Sequence, residues 1–381
     1  MDFEIPPEYE QLKRSVRDFL LSELEPISRR LDEEQAFPLD VHRKAGKLGF
    51  IGAHLPEEYG GGGDLFAKSV IYEENCRVNL GYNVSVNASD LLFANNVARH
   101  GNPEQKKKYL PPIISGEKIG CWAITEPEAG SDALSLKTTA TPCDGGWVVN
   151  GSKTFITNAP IADFFIVQAR LPGTSGADGG IAFILDRGVP GLSTGPKMDK
   201  LGVRCSPTAQ IFMEEMRAGP EHVLGTPGEG LRQALGSLDV ERSLSPFSSI
   251  GVAQACLDAS ARYALERKQF GKPIAKFQLI QEKLAEMAAD LDVARHYCRR
   301  VVWMVTQGIK VTKEAAIAKL FASRMVSRVT TEAIQIHGGY GLMKEYNVER
   351  YFRDARILEI GAGTTEIQKI VIAREVLKEY E

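Results

Sequence analysis

Trp122-Ala123-Ile124-Thr125-Glu126-Pro127-Glu128-Ala129-Gly130-Ser131-Asp132 is the stretch around which the chain is organised. An apolar run from Ile119 to Ile124 gives way to an acidic, hydroxyl-bearing segment containing Pro127 and Gly130. Proline lacks an N–H and disfavours a central strand, while glycine enters positive φ without steric cost. A strand therefore ends near Thr125, and the loop after it presents Thr125 and Ser131 with their backbone N–H groups. Such a loop can hold a planar, hydrogen-bonding ligand against a sheet. The plainer reading is an ordinary exit from a strand.

Upstream of this stretch the chain reads as helical. Leu12, Val16, Phe19, Leu20 and Leu24 share one face of a helix over 8–24, opened by Pro6-Pro7. Further helices are expected at 39–48, 66–80, 90–100 and from Pro103, with Pro111-Pro112 as the stop of the last. The glycine run of Leu55 to Gly63 lacks a following Gly-Lys-Ser/Thr and reads as a connection. Downstream, from Gly120 to about Val223, short β-branched runs alternate with Asn-Gly and Asp-Gly-Gly turns, the pattern of a small sandwich or barrel. From Gly228 onward the period is helical again. The segments 231–254 and beyond, 274–307 and 312–336 are long enough to pack as an antiparallel bundle. The fold class is thus α+β. An N-terminal helical domain (1–119) precedes a central β-sandwich or barrel (120–225), and a C-terminal antiparallel four-helix bundle (226–381) follows.

Composition narrows the function. The 381 residues are 43% hydrophobic and 25% charged with a net charge of −3, the balance of a globular protein. No basic block invites nucleic acid, and no apolar run approaches the roughly 20 residues that span a bilayer. Met1-Asp2-Phe3-Glu4 carries no secretory or transit pattern. Six scattered cysteines without C-x-x-C, and six dispersed histidines, lead us to expect reduced thiols, a cytoplasmic protein and no metal site. No G-x-G-x-x-G stands in a βαβ setting, so a Rossmann-type NAD site is not indicated.

"ITEPEAGSD" (Ile124 to Asp132) followed by "VVNGSKTFITNA" (Val148 to Ala159) resembles the acyl-CoA dehydrogenase family of flavoproteins. "ALERKQFGKPIAKFQLIQ" (Ala264 to Gln281), "AIQIHGGYGLMKEYNVERYFRDAR" (Ala333 to Arg356) and "IGAGTTEIQ" (Ile360 to Gln368) extend the resemblance over essentially the whole chain. It implies an oxidoreductase acting on CH–CH groups of a CoA thioester, with FAD as cofactor, an electron-transfer flavoprotein as acceptor and a homotetramer. By position, Trp122, Ile124 and Thr125 would line the isoalloxazine, with Phe155 and Thr157 on its other face. Phe155 replaces the commoner tryptophan but keeps an aromatic wall. Ser131 would sit by the pyrophosphate and the CoA. Arg267, Gln269 and Phe270 would reach a partner subunit's FAD, Gln335, Gly338 and Gly339 would pack on the adenosine part, and Thr364 and Glu366 would return to the pyrophosphate. A pyrophosphate favours arginine and backbone donors, and glycine lets backbone approach closely.

Desaturating an acyl-CoA needs a carboxylate to take the α-proton while a hydride leaves the β-carbon. It also needs donors on the thioester oxygen, which becomes enolate-like. Most of the family keeps a glutamate where Ala362 stands in Gly361-Ala362-Gly363-Thr364. Alanine cannot be a base, although its N–H, beside Gly363, can still meet the thioester oxygen. The branch that includes isovaleryl-CoA dehydrogenases has the same Gly-Ala-Gly-Thr and carries its base on a bundle helix, where Glu241 stands in "GSLDVERSLS". The resemblance therefore implies Glu241 as base, with Asp239 and Arg242 meeting the CoA chain. The acyl group expected is short and branched or cyclic, with Phe93 and Phe247 as pocket candidates. Asp90 stands where a small hydroxyl residue is usual. It reads as a helix N-cap, or alternatively as a second base for a cyclic or already unsaturated acyl group. Rival readings are an acyl-CoA oxidase, a decarboxylating dehydrogenase and a flavin-binding protein without turnover.

Overall fold

The computed structural model describes residues 6–381, and of Asp239 only the backbone. Met1 to Ile5 and the Asp239 side chain therefore lie outside the described residues.

The N-terminal part is helical: α1 (Pro7–Glu23), α2 (Ser28–Glu34), α3 (Leu39–Lys47), α4 (Leu65–Val78), α5 (Leu80–Asn87), α6 (Asn95–His100) and α7 (Pro103–Ile114). Two expectations are corrected. Pro111 and Pro112 lie inside α7, in its last turn, so the helix does not stop at them. The helix expected to begin at Asp90 begins ten residues earlier. Asn79 caps α5, its side chain accepting from the Tyr82 N–H at 3.0 Å. The chain then passes into α6 through a π-helical turn, Ala88–Ala94. Asp90 sits inside that turn and caps nothing. A widened turn of this kind displaces side chains from the regular helical faces and recurs at functional sites.

The middle part is one curled seven-stranded sheet of β1 (Gly120–Ala123), β2 (Thr139–Cys143), β3 (Gly146–Thr157), β4 (Phe164–Arg170), β5 (Gly180–Asp186), β6 (Leu192–Thr194) and β7 (Thr208–Ala218). The strand order is β1-β4-β2-β3-β7-β6, with β5 paired to β4. β1 runs parallel to β4, Gly120 opposite Phe164, and also lies against β3, so the sheet closes up around its own apolar core. The Asp144-Gly145 turn joins β2 to β3 with Gly145, and not Asp144, at positive φ (+80°), which glycine enters without steric cost.

The C-terminal part comprises α8 (Gly230–Leu244), α9 (Pro246–Glu266), a small hairpin β8 (Lys268–Gln269) and β9 (Lys272–Pro273), α10 (Gln278–Thr306), α11 (Thr312–His337), α12 (Val348–Ala355) and α13 (Thr365–Leu377). α9, α10 and α11 pack on one another, and α13 lies on α11. The single helix expected from Leu231 past Gln254 is two: Pro246 lacks the N–H and breaks the ladder, leaving Ser245 as the joint between α8 and α9. One large core joins the N-terminal helices to the bundle, with Tyr72, Cys76 and Leu80 packed among residues of α9, α10 and α11. α4 meets α9 so closely that a Cβ at Gly251 would stand 2.2 Å from the Glu73 carbonyl oxygen. α8 in turn touches both α4 and the π-turn.

Candidate active site

The loop after β1 is held by a buried ion pair. Glu126 and Ala129 exchange both backbone hydrogen bonds, at 3.0 and 3.2 Å, closing a turn over Pro127-Glu128. The Glu126 carboxylate folds inward and accepts from Lys153 Nζ at 2.7 Å, the Thr138 hydroxyl at 2.6 Å and the Thr138 N–H at 2.9 Å. Lys153 also donates to the Ile124 carbonyl at 3.2 Å, and the Thr154 N–H to the Thr125 carbonyl at 2.9 Å. Burial raises the carboxyl's proton affinity, but the Lys153 charge and these donors outweigh it and hold Glu126 below the ordinary carboxylate range. Asn158, at φ +69°, donates to the carbonyls of Ser85 and Gly120 and so pins the end of β3 to the start of β1. Sequence reading gave no role to Glu126, Lys153 or Asn158. Their signal was an acidic residue in a loop and a lysine in a strand, neither of which says that they pair.

Over this anchored loop stand Trp122, Ile124, Thr125, Phe155 and Thr157, brought together by β1 and β3. Two features show that something flat and polar-edged belongs here. Trp122 Nε1 is buried and finds no acceptor among the described residues. Phe155, at a bulge of β3, is held at φ +58° with 68% of its surface exposed. An exposed aromatic side chain in left-handed backbone is costly unless a ligand uses it. Ser131 is exposed just beyond the turn.

Two carboxylates, Glu241 and Asp90, are buried among the helices. Glu241, on α8, is 3% exposed, and its Oε2 has no hydrogen-bond partner among the described residues. Burial pushes its pKa up, and the charges of Lys319 and Arg242, with the Ser245 hydroxyl nearby, pull it part of the way back. Lys319 on α11 donates to the carbonyls of Gly361 and Gly363, which ties the Gly361-Ala362-Gly363 loop to the same place. Arg242 reaches this loop as well, its guanidinium 3.7 Å from where a Cβ on Gly363 would be. Asp90 is fully buried in an ion pair with Lys68 of α4, accepts from the Gly52 N–H at 3.2 Å, and keeps Oδ1 without a partner. The buried Tyr72 phenol, with Asn83 nearby, feels the negative charge of both Glu241 and Asp90. Its ring lies 5.2 Å below the Lys68 ammonium. Burial pushes the imidazoles of His42 and His54, beside Asp90, down to about 4. Phe93 and Phe247, expected to line a pocket, are fully packed instead. Phe93 lies against Tyr109, Phe164 and Gly120, and Phe247 sits in the inter-helix core.

The remaining residues collect elsewhere. Arg267, Gln269, Gly338 and Gly339 line one cavity of about 510 Å³, with Tyr263 and His337 stacked in its wall at 4.3 Å. The Arg267 guanidinium lies 5.5 Å over the Tyr340 ring. Phe270 forms the tip of the β8–β9 hairpin at φ +50°, 92% exposed. Gln335 is exposed on the last turn of α11. Thr364 caps α13 by accepting from the Ile367 N–H at 3.3 Å, with Glu366 exposed in the first turn. Among the described residues no group of histidine, cysteine and carboxylate side chains is arranged for a metal, and no helix is long and apolar enough to cross a membrane.

Models of the acyl-CoA dehydrogenase N-terminal, middle and C-terminal domains match residues 6–117, 121–216 and 228–377. The chain belongs to the acyl-CoA dehydrogenase family. A probable acyl-CoA dehydrogenase of Bacillus subtilis, YngJ, is 43% identical over 99% of this chain and all of its own length. The mitochondrial isovaleryl-CoA dehydrogenase of Oryza sativa is 40% identical over 97% of this chain and 91% of its own. The structure of butyryl-CoA dehydrogenase from Megasphaera elsdenii superposes with a TM-score of 0.96 at 37% identity, covering 99% of this chain and 100% of that one. A chain described under the electron transferring flavoprotein of Acidaminococcus fermentans matches equally well. PigA with FAD, at 29% identity, superposes at 0.95 over 99% of each chain. The protein is accordingly an oxidoreductase that dehydrogenates an acyl-CoA, and the family's cofactor is FAD. The orphaned Trp122 Nε1 and the exposed Phe155 fit a flavin ring, and the arginine and glycines of the 510 Å³ cavity fit its adenosine end.

Proposed function

We propose that the protein is an α,β-dehydrogenase of a short, branched or cyclic acyl-CoA, with Glu241 as the base. The observation that carries this reading is the partnerless Glu241 oxygen, buried beside a Gly-Ala-Gly loop that offers no carboxylate of its own. Bound FAD supplies the acceptor for the β-hydride. Trp122, Ile124, Thr125, Phe155 and Thr157 would hold its ring. Thr364 and Glu366 would lie by the pyrophosphate, and Arg267, Gln269, Phe270, Gln335, Gly338 and Gly339 would serve the adenosine end, within a homotetramer that shares these sites. Arg242, Asp239, Ser131 and Gly363 would meet the CoA thioester, and the Ala362 N–H its oxygen. Ionised Glu241 takes the α-proton. Burial makes it a stronger base than an exposed glutamate, while Lys319 and Arg242 keep its charged form accessible. The likeness to an electron transferring flavoprotein structure supports such a flavoprotein as acceptor, and the buried or half-buried free cysteines fit a cytoplasmic setting.

One observation favours a second reading. Asp90 keeps a buried oxygen without a partner, and the Tyr72 phenol feels the charge of both Asp90 and Glu241. Asp90 could then take a proton from a cyclic or already unsaturated acyl group. The test is anaerobic flavin bleaching with linear, branched, dicarboxylic, cyclic and mono-unsaturated acyl-CoAs, using wild type, Glu241→Gln and Asp90→Asn. Loss of bleaching in Glu241→Gln alone, with a saturated thioester best, supports the first reading. Loss in Asp90→Asn alone, with a cyclic or unsaturated thioester best, overturns it in favour of the second.

A further inference from the structure

The loop that replaces the usual glutamate has an unusual backbone. Ala362 lies at φ +54° and Gly363 at +94°. Glycine accepts this region, whereas alanine resists it, because its Cβ crowds the neighbouring carbonyl. Something must hold Ala362 there, and the structure contains the restraint. Lys319, 5% exposed on α11, donates its ammonium to the carbonyl oxygens on both sides of Ala362, those of Gly361 and Gly363. Gln368 Nε2 adds a third bond, to the Gly363 oxygen at 3.0 Å.

The direction of these bonds matters. In a trans peptide the C=O and the following N–H point opposite ways, and the described chain contains no cis bond. Drawing the Gly361 carbonyl onto Lys319 therefore turns the Ala362 N–H away from α11. No described acceptor takes that N–H. An ammonium is a costly way to satisfy two carbonyls in the interior, since burial lowers its proton affinity, to about 8. Water or a hydroxyl would satisfy the carbonyls at lower cost. What the ammonium adds is three donors on one fixed point, so that both peptide planes are locked together. It does so beside Glu241, whose charge it partly offsets.

We propose that Lys319 is a positioning residue that straps the 361–363 loop so that the Ala362 N–H is aimed at the thioester oxygen of the bound acyl-CoA. The inference rests on the acyl-CoA reading above but not on which carboxylate is the base. Lys319 contacts neither substrate nor flavin in this scheme. It acts through the peptide it holds.

The test reads carbonyl polarisation directly. 4-Hydroxycinnamoyl-CoA, a conjugated thioester, is bound at saturation to the FAD-loaded protein. Its absorption band moves to the red when the thioester oxygen accepts a strong hydrogen bond. Wild type and Glu241→Gln are expected to give the same red shift. Lys319→Met is expected to lose most of it, with kcat down roughly 10- to 100-fold, part of the effect of deleting one oxyanion donor, and KM changed less than threefold. If Lys319→Met does not accumulate as FAD-loaded protein, Lys319→Gln takes its place. It retains N–H donors on a shorter arm, and a shift smaller than that of wild type is expected. An undiminished shift in either variant, or no shift in wild type, overturns the proposal. Unchanged turnover in Glu241→Gln would sink the assignment of the base, while the band shift would still decide the role of Lys319.

Discussion

Removing the Lys68 ammonium isolates a carboxylate that the fold has shut away from water. Asp90 and Lys68 are both fully buried, and the other donor to Asp90 is the Gly52 N–H at 3.2 Å. In Lys68→Met the charged Asp90 loses its counter-ion without gaining solvent. Breaking one side of a buried pair costs about 3–5 kcal/mol. A chain of 381 residues unfolds with an entropy of roughly 0.8 kcal/mol/K, so the melting temperature should fall by about 4–6 °C at pH 7. Replacing both partners by apolar groups of similar volume is often neutral or stabilising, so Lys68→Met/Asp90→Leu should melt within about 2 °C of wild type. The assay is differential scanning calorimetry of FAD-loaded protein, with the bleaching panel run on the same samples. A single variant that melts with wild type, or a double variant no better than the single, refutes the reasoning that the pair is dry and mutually dependent. The double variant also separates the two readings of Asp90. If the pair is only structural, recovered stability brings recovered turnover. If Asp90 removes a proton, the double variant is stable and inactive.

The pH profile provides a further test. Glu241 must be ionised to act, and burial holds its proton to higher pH. The rate kcat/KM should therefore rise with pH along a limb displaced above the ordinary carboxylate range, and Lys319→Met, which removes a compensating charge, should move that limb higher still; stopped-flow reduction from pH 4 to 9 measures both. Phe155→Gly relieves the φ of +58° and should stabilise the flavin-free protein by roughly 1 kcal/mol, while lowering the FAD retained after gel filtration, and thermal melts with and without FAD should show opposite signs. Gly251→Ala places a methyl 2.2 Å from the Glu73 carbonyl oxygen. It should destabilise by about 2 kcal/mol through forced separation of α4 and α9, with turnover reduced as the Asp90 and Glu241 regions part, both visible in melting and bleaching assays of one preparation.

The sequence by itself determined the order of helical, β and helical regions, because the apolar period of each helix and the Asn-Gly and Asp-Gly turns are local properties. It also determined the family, through motifs such as ITEPEAGSD and RKQFG, and exposed the chemical gap at Ala362 that makes Glu241 of interest. Tertiary structure alone decided the rest, since pairing and burial are relations between distant segments. Glu126 and Lys153 are 27 residues apart and Lys319 and Gly361 are 42 apart, and nothing in the local pattern of either lysine says that it is buried. Asp90 shows the limit most clearly. A Ser-Asp pair before an apolar run has the form of an N-cap, yet the capping was already done by Asn79. The helix ran on through a π-turn and carried the carboxylate into the interior against Lys68. Phe93 and Phe247 were likewise read as pocket walls because aromatic residues near a site suit an acyl chain. Packing against Gly120, Phe164 and the bundle core consumed their surface instead. A side chain's chemistry can be read along the chain, but its neighbours, and hence its charge and its freedom to act, exist only once the helices have closed on one another.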